Sequence, residues 1–380
     1  MRIGVDARYG FRTSRRGIGN YVAELIGNLP AVAAHDDEFI LYVDGPGEPE
    51  ALPLADPRFR VRRLAVSNPL TFEEWALPRA AGQDRLDLLH MTSNYGPSFV
   101  PCPTVYTIHD LIEWIRPTFS QARLSFRHGA GRAVRMRTLP RQAARARRII
   151  TISTTSRNDL VRILHVPPDR VRIIPLGVSE ELRPSDDPAG TRQALRAAGL
   201  AVPERYVLAL GALDPRKNGR FLMRAFARAQ AQLGDVALWV VGVERVGEYP
   251  VPSSPAPDWL TVKGFVDRAS LIRLLQGATA FVFPSLYEGF GLPVLEAMAC
   301  GIPVLASDRS SVPEIAGQAA ILFDPTDEAG LAGHLVRVLN DGRALAEFAT
   351  GGRRHVAAFT WRQTAQRTYG VYQEAAAGQR

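Results

Sequence analysis

The stretch "ATAFVFPSLYEGFGLPVLEAMACGIPVLAS", residues 278–307, contains the clearest pattern from which the fold class can be predicted. Its first apolar run predicts a buried strand, and "PVLAS" at its end predicts another. A helix is predicted between them, because Pro293 suits a first turn, where its missing N–H is not needed, and Gly301 suits the far end. A strand, a helix and a second strand in succession are typical of a parallel sheet covered by helices.

The same alternation runs through the whole chain. Helical patterns such as "NYVAELIGNL" and "GRFLMRAFARAQAQL" separate strand-like apolar runs, which predicts an α/β protein with doubly wound, Rossmann-like sheets. The predicted strands are "RIGVDA", "FILYVD", "FRVRRLAV", "LDLLHM", "TVYTIH" and "RRIITIS", followed by "YVLALGAL", "VALWVVGV", "LTVKGF", "TAFVFPS", "PVLAS" and "AAILF".

The length predicts two domains, since 380 residues exceed one ordinary open-sheet domain. The run "PLGVSEELRPSDDPAG" lacks an apolar period and is rich in Pro, Gly, Ser and Asp, so we place a hinge at residues 176–190. The first domain is then residues 1–180, and the second begins at residue 181. Open parallel sheets bind ligands beyond the carboxyl ends of their strands, which predicts a ligand cleft between the domains.

Composition excludes several classes of protein. No apolar run reaches the roughly 18 residues of a membrane span, and "MRIGVDARYG" predicts a buried strand in place of a signal peptide. Cys102 and Cys300 form neither a disulfide framework nor a zinc pattern, so we expect a cytoplasmic location. The net charge of +8 permits nucleic-acid binding, but no recognition helix or aromatic-interleaved basic sheet accompanies it, and we predict no nucleic-acid partner.

Two features follow strands of the first domain. Gly17 and Gly19 straddle the predicted start of a helix, whose first amides could meet an anion; an ordinary glycine turn is the alternative. His109 comes where the strand "TVYTI" leaves the sheet, a position that points into the cleft, and chance placement among seven histidines is equally compatible with the sequence.

Two cations follow a strand of the second domain. Arg216 and Lys217 precede a helix and suit an anion site, and a solvated loop pair is the alternative. The amides of Gly291, Leu292 and Val294, at the start of another predicted helix, would meet the same anion.

Two carboxylates flank that predicted anion. Glu288 lies in the loop and Glu296 on the helix, and neither has the His or Asp neighbours of a metal site. A phosphate would repel both, so they are predicted to bind hydroxyls. One sugar on each side of a pyrophosphate describes a nucleotide sugar.

At this point the chain resembles a known family. "EGFGLPVLEAMACGIPVLAS", with its Glu-x7-Glu spacing, is similar to the motif of glycosyltransferase family 4. The members of that family are retaining enzymes of the GT-B fold. "RRGIGNYVAEL", "TIHDL", "GALDPRKN" and "VKGFVDRASLIRLL" resemble further family motifs. "FTWRQTAQRTYGVYQE" resembles the closing helix that returns to the N-terminal domain, which ends the second domain at residue 358 and assigns residues 359–380 to that helix.

The resemblance implies a role for each site residue. Glu288 would contact the transferred sugar, Glu296 the ribose, and His109 the sugar near its reacting carbon. Backbone near Phe265 and Val266 would contact the base.

The diphosphate would be bound from several sides. Arg216, Lys217 and the amides of Gly291 through Val294 would neutralise it, and Gly17 would let the backbone approach it. No cofactor or metal is implied beyond the donor substrate. Many members have an arginine where this chain has Ala212, so either Arg216 supplies the second cation or Lys217 acts alone.

The resulting prediction is a transferase that moves mannose, rhamnose or another hexose from a nucleoside diphosphate to a glycan or lipid-linked hydroxyl in envelope polysaccharide synthesis. A sugar-nucleotide epimerase or a phosphorylase is the alternative. An epimerase needs cleft acids and bases that the sequence does not offer, and a glycogen-type phosphorylase needs a pyridoxal lysine, for which neither Lys217 nor Lys263 is placed.

The acceptor side carries a basic segment. Residues 121–150 contain nine arginines and no acidic residue. With interspersed apolar residues, Arg123–Arg148 suits anionic lipid headgroups, and relatives that use polyprenyl-diphosphate acceptors point to the inner face of the cell membrane. A solvated arginine face is the equally weighted alternative.

Overall fold

The structure is a computed structural model that describes residues 1–12, 17–45, 56–66, 68–115, 126–251 and 255–377, with the backbone alone for residues 126–135. Two compact units make up the described chain. The first comprises the described residues of Met1–Ile115, Ala122–Gly177 and Thr360–Arg380, and the second those of Val178–Phe359.

The first unit is built on a seven-stranded parallel sheet. Its strands are β1 (Arg2–Asp6), β2 (Glu38–Asp44), β3 (Phe59–Leu64), β4 (Leu88–Met91), β5 (Thr104–Thr107), β6 (Arg148–Thr151) and β7 (Val171–Ile173). They pair in the order β3-β2-β1-β4-β5-β6-β7. The helices are α1 (Ile18–Asn28), α2 (Pro69–Thr71), α3 (Leu77–Gln83), α4 (Ile112–Ile115), α5 (Phe126–Arg145), α6 (Thr154–Leu164) and, from the far end of the chain, α14 (Trp361–Ala377).

The second unit is built on a six-stranded parallel sheet. Its strands are β8 (Tyr206–Leu210), β9 (Ala237–Val241), β10 (Leu260–Val262), β11 (Ala280–Phe283), β12 (Val304–Ser307) and β13 (Ile321–Phe323), in the order β10-β9-β8-β11-β12-β13. The helices are α7 (Pro188–Ala197), α8 (Gly219–Leu233), α9 (Arg268–Gly277), α10 (Leu292–Ala299), α11 (Val312–Ala316), α12 (Glu328–Leu339) and α13 (Gly342–Val356).

The predicted fold class, two doubly wound α/β sheets, is confirmed. In each sheet the first strand lies inside and later strands add to both sides of it. Strands such as β11 are buried along their whole length, because helices cover both faces of such sheets. Among the described residues, no helix is both long and apolar enough to span a membrane.

Polar contacts attach α14 to the first unit. The helix packs on α1 and on β4, β5 and β6. Tyr369 donates a hydrogen bond of 2.6 Å to Asp37 Oδ2, and the Tyr372 hydroxyl lies 2.7 Å from His90 Nδ1. The last helix of the chain therefore completes the core of the unit that begins it.

Topology explains why the predicted residues of the second unit are neighbours. Strand β11 lies between β8 and β12, and all three run parallel. Their carboxyl ends therefore share one edge of the sheet, where the loops after them meet. These loops contain Lys217, Glu288 and a serine pair, Ser310 and Ser311.

Candidate functional site

The loops after β8 and β11 bring two predicted site residues into contact. Lys217 ends a 3-10 turn, Pro215–Lys217, and its Nζ lies 2.7 Å from Glu288 Oε1. The side chains are 21% and 13% exposed, so the pair reaches solvent without being fully hydrated. An ammonium beside a carboxylate at this sheet edge offers one group to an anion and one to a hydroxyl.

Arg216 has a contact that differs from the predicted one. Its Nη1 donates to the carbonyl of Tyr287 at 2.7 Å, and its Nε lies 3.4 Å from Asp214 Oδ2. Only 11% of the side chain is exposed. Its Nη1 also lies 3.6 Å from Glu288 Oε1, the oxygen that Lys217 contacts, so Arg216 lies against the loop and the carboxylate of Glu288. Its contact with a diphosphate stays a prediction.

The start of α10 also differs in one respect from the prediction. Gly291 caps this helix with φ of 103°, in the left-handed region that glycine adopts without strain. The amide of Val294 donates to the Gly291 carbonyl at 2.9 Å, so it is not free for an anion as predicted. This bond tightens the first turn and leaves Gly291 and Leu292 as the amides predicted to meet a phosphate.

Glu296 is buried on α10 and has an arginine partner. Its Oε1 accepts a hydrogen bond of 2.9 Å from Arg268 Nη1, while Arg268 Nε donates to Glu181 at 2.9 Å. Glu296 is 8% exposed, so this cation compensates a carboxylate largely removed from water. The sequence did not predict Arg268, which lies on α9, as the partner of Glu296.

Phe265 and Val266 lie in the loop between β10 and α9. Phe265 is 52% exposed and Val266 is partly buried. The amide of Gly242, which follows β9, donates to the carbonyl of Gly264 at 2.9 Å and fixes the start of this loop. The two residues predicted to contact the base are therefore an exposed aromatic residue, Phe265, and the partly buried Val266, in the loop that follows β10.

In the first unit, α1 and His109 are brought together. Gly17 caps α1 with φ of 44°, Gly19 is buried in its first turn, and Tyr21 stands edge-on to the His109 ring at a centroid distance of 4.8 Å. His109 Nε2 lies 3.1 Å from the carbonyl of Thr92, an acceptor only, which assigns the proton to Nε2 and leaves Nδ1 as an acceptor.

Burial makes His109 a neutral group. It lowers the pKa of His109 to about 4, so the imidazole is uncharged at neutral pH. Burial also lowers the pKa of His90, a neighbour in the same unit, to about 3. At neutral pH Nδ1 of His109 can accept a hydrogen bond, but the ring carries no charge to stabilise a diphosphate.

Because both histidines are neutral when buried, we expect acid to destabilise the first unit. Between about pH 4 and 6.5 the unfolded chain protonates both rings and the folded chain neither, so the free energy of unfolding falls as the pH falls. Each ring contributes up to about 1.4 kcal/mol per pH unit in that window. Urea unfolding at pH 7 and pH 5 measures the loss. The loss of unfolding free energy between pH 7 and pH 5 should be smaller in His90→Gln than in the wild type. It should be unchanged in His35→Gln, a control in which the replaced histidine is exposed. Equal pH dependence in the two variants would contradict the role of His90.

The basic segment Arg123–Arg148 is described in part. Residues 121–125 lie outside the described residues, and so do the side chains of residues 126–135. In the remainder, Arg137, Arg141 and Arg145 are exposed at a spacing of four on α5, so they lie on one face.

An exposed aromatic residue lies next to this face. Arg145 Nη1 donates to the carbonyl of Ser98 at 2.6 Å. The following residue, Phe99, is 70% exposed. Basic and aromatic groups are thus adjacent on the first unit.

Across the part of the chain that the structure describes, no group of three or more His, Cys, Asp or Glu residues is placed to hold a metal ion.

Comparison with known proteins identifies the family. A family model described as Glycosyltransferase Family 4 matches residues 15–182, and one described as Glycosyl transferases group 1 matches residues 204–341. The O-antigen chain mannosyltransferase B of Escherichia coli is 30% identical to this chain, and the alignment covers 94% of this chain and 95% of that protein.

Solved structures show the same fold. Sucrose-phosphate synthase from Thermosynechococcus elongatus matches with a TM-score of 0.72 and 23% identity, covering 99% of both chains. Anabaena HepE in complex with UDP and glucose matches with a TM-score of 0.72 and 18% identity, covering 98% of this chain and 100% of that one.

Proposed function

This chain belongs to glycosyltransferase family 4, and from that premise we propose that it transfers mannose from a nucleoside diphosphate to a hydroxyl of a glycan or lipid-linked acceptor during cell-envelope polysaccharide synthesis. The observation that carries the proposal is the Lys217–Glu288 pair at the carboxyl edge of the second sheet. Mannose is favoured over rhamnose and other hexoses because the full-length E. coli relative is named as a mannosyltransferase.

The second unit supplies the donor site in this proposal. Lys217 and the first amides of α10 bind the diphosphate and stabilise its charge as it departs. Glu288 accepts hydrogen bonds from the transferred sugar, and Glu296, held by Arg268, accepts from the ribose. The nucleobase lies against the backbone at Phe265 and Val266.

The reaction proposed is metal-independent and retains the anomeric configuration. The ammonium of Lys217 and the positive end of α10 provide the charge stabilisation that a divalent ion would otherwise give. In the first unit, Gly17 and Gly19 allow a close backbone approach to phosphate, and neutral His109 forms a hydrogen bond with the sugar. The assignments of these three residues are predictions.

A donor screen tests the proposed function. Thermal shift with mannose, glucose and rhamnose nucleotides of different bases should identify one stabilising donor, since a ligand stabilises the folded state by mass action. With that donor, nucleoside diphosphate should appear only when a glycan or polyprenyl-linked acceptor is added, with or without chelator. Product with inverted configuration, or diphosphate release without acceptor, would contradict the proposal, and the latter would favour an epimerase.

We also propose that the first unit binds the inner face of the cell membrane through its basic segment. The exposed arginines at 137, 141 and 145 provide positive charge, and Phe99 provides an aromatic ring suited to the interface. This places a cytoplasmic enzyme next to a lipid-linked acceptor.

Vesicle sedimentation tests the membrane proposal. The double variant Arg137→Glu/Arg141→Glu should lose affinity for anionic vesicles by about tenfold or more, since each basic residue contributes roughly 1 kcal/mol near such a surface. Arg343→Glu/Arg362→Glu, an equal charge change at exposed sites elsewhere, is the control. Equal recovery with anionic and neutral vesicles, unaltered by salt, would favour an acceptor in solution.

A further inference from the structure

Two serines hold the backbone of Glu288. Both follow β12, in the loop next to the one that carries Glu288. Ser310 Oγ accepts a hydrogen bond of 2.8 Å from the Glu288 amide and lies 3.1 Å from the Glu288 carbonyl. Ser311 Oγ lies 2.9 Å from the carbonyls of both Glu288 and Phe290. Both peptide groups of Glu288 are therefore held by side chains from another loop.

The opposite side of the same loop is held by Arg216. Its Nη1 donates to the carbonyl of Tyr287, and its own carbonyl accepts from the Leu286 amide at 2.8 Å. The loop is thus fixed from β8 on one side and from β12 on the other. Tyr287 and Phe290 are buried, while Glu288 keeps partial access to solvent.

The backbone of Ser310 indicates that this arrangement is specific. Ser310 has φ of 53°, a left-handed conformation that is uncommon for residues other than glycine. Such a conformation costs on the order of 1–2 kcal/mol and persists where surrounding contacts impose it. Glycine would remove this strain, but it would also remove the hydroxyl that binds Glu288.

We propose that Ser310 and Ser311 are positioning residues that set the Glu288 carboxylate for its contact with the transferred sugar. This inference rests on the proposed function. A carboxylate must be held within roughly 0.5 Å of its productive position, and an error of about 1 Å can cost 10²-fold in rate. Lys217 and Arg216 approach the Glu288 carboxylate at 2.7 and 3.6 Å, whereas the two serine hydroxyls hold the Glu288 backbone.

The matched variants are Ser310→Gly, Ser311→Ala and, as a control in the same unit, Ser185→Ala, which loses a hydroxyl bonded to Thr191. We expect Ser310→Gly and Ser311→Ala to lower kcat by about 10- to 100-fold. Affinity for nucleoside diphosphate should stay within about twofold, because neither hydroxyl contacts the diphosphate in the proposal. Ser310→Gly separates the two roles of Ser310. If the serine served only the fold, glycine would relieve the strained backbone and kcat would be retained, whereas a positioning role predicts the loss of kcat given above.

Hydrogen exchange gives a readout independent of catalysis. The Glu288 amide should exchange faster in Ser310→Gly than in the wild type or in Ser185→Ala, since its acceptor is gone. Wild-type kcat in both serine variants, unchanged exchange at Glu288, or a loss of kcat matched by a loss of diphosphate affinity would overturn the inference. A wild-type protein that transfers no sugar would refute the proposed function, and the exchange result would still decide whether Ser310 holds Glu288.

Discussion

Replacing Glu288 by Gln is expected to lower kcat by about 10²–10³-fold, the scale of losing one preorganised charged contact in an active site. The change keeps the shape of the side chain and removes the charge that orders sugar hydroxyls. The melting temperature should stay close to that of the wild type, because Glu288 contributes no apolar core and the amide oxygen of Gln can still accept the hydrogen bond from Lys217 Nζ. Steady-state transfer and thermal unfolding on the same preparation measure both quantities.

Glu347→Gln is a suitable control, since that carboxylate also pairs with a cation, Arg343, but lies exposed on α13. It should leave both quantities unchanged. If Glu288→Gln kept near-normal activity with a lowered melting temperature, Glu288 would serve the loop and not the substrate.

Replacing Lys217 by Met is expected to weaken nucleoside diphosphate binding by about 10- to 100-fold, since a charge-assisted hydrogen bond contributes about 1.5–3 kcal/mol. Turnover should fall as well, because the departing diphosphate loses its ammonium. Calorimetric titration with the free nucleoside diphosphate measures the first effect and steady-state kinetics the second.

Arg216→Met and Lys263→Met complete the experiment. Lys263 is the only other lysine and is exposed, so its replacement should change nothing. Arg216→Met should reduce stability and kcat and should weaken diphosphate binding less than Lys217→Met does, because Arg216 Nη1 is already bonded to the Tyr287 carbonyl and lies 3.6 Å from Glu288 Oε1. Equal losses of affinity at Arg216 and Lys217 would identify Arg216 as the second cation that Ala212 does not provide.

Much of the fold was predictable because long buried strands and amphipathic helices have strong periods. The helix "GRFLMRAFARAQAQL" was predicted with the same ends as α8. Strand β7 was missed among the predicted strands because Arg172 interrupts its three-residue apolar run, whereas the equally short edge strands β10 and β13 contain no charged residue. Helix α13 was missed too, since the consecutive glycines Gly351 and Gly352 interrupt its helical pattern in the sequence.

The site was predictable only as far as strand order allows. Lys217 and Glu288 contact each other because they follow neighbouring parallel strands, β8 and β11, which the alternating pattern implies. The direction of Arg216 was not predictable, since it depends on a 3-10 turn that buries the guanidinium under the next loop. The hydroxyls of Ser310 and Ser311 give no sequence signal, because serine in a turn usually caps its own backbone.

The attachment of α14 to the first unit has a consequence for how the chain is made. The described residues of the second unit all lie within Val178–Phe359, and their core can close as soon as that segment has left the ribosome. The first unit is translated earlier but lacks its last helix until roughly 180 more residues have been added, a delay on the order of 10–40 s at typical bacterial and eukaryotic elongation rates. During that interval the partners of α14, among them His90 and the sheet around it, are uncovered. We therefore expect the nascent first unit to be the part of this chain that chaperones bind, and the order of completion to run from the second unit to the first.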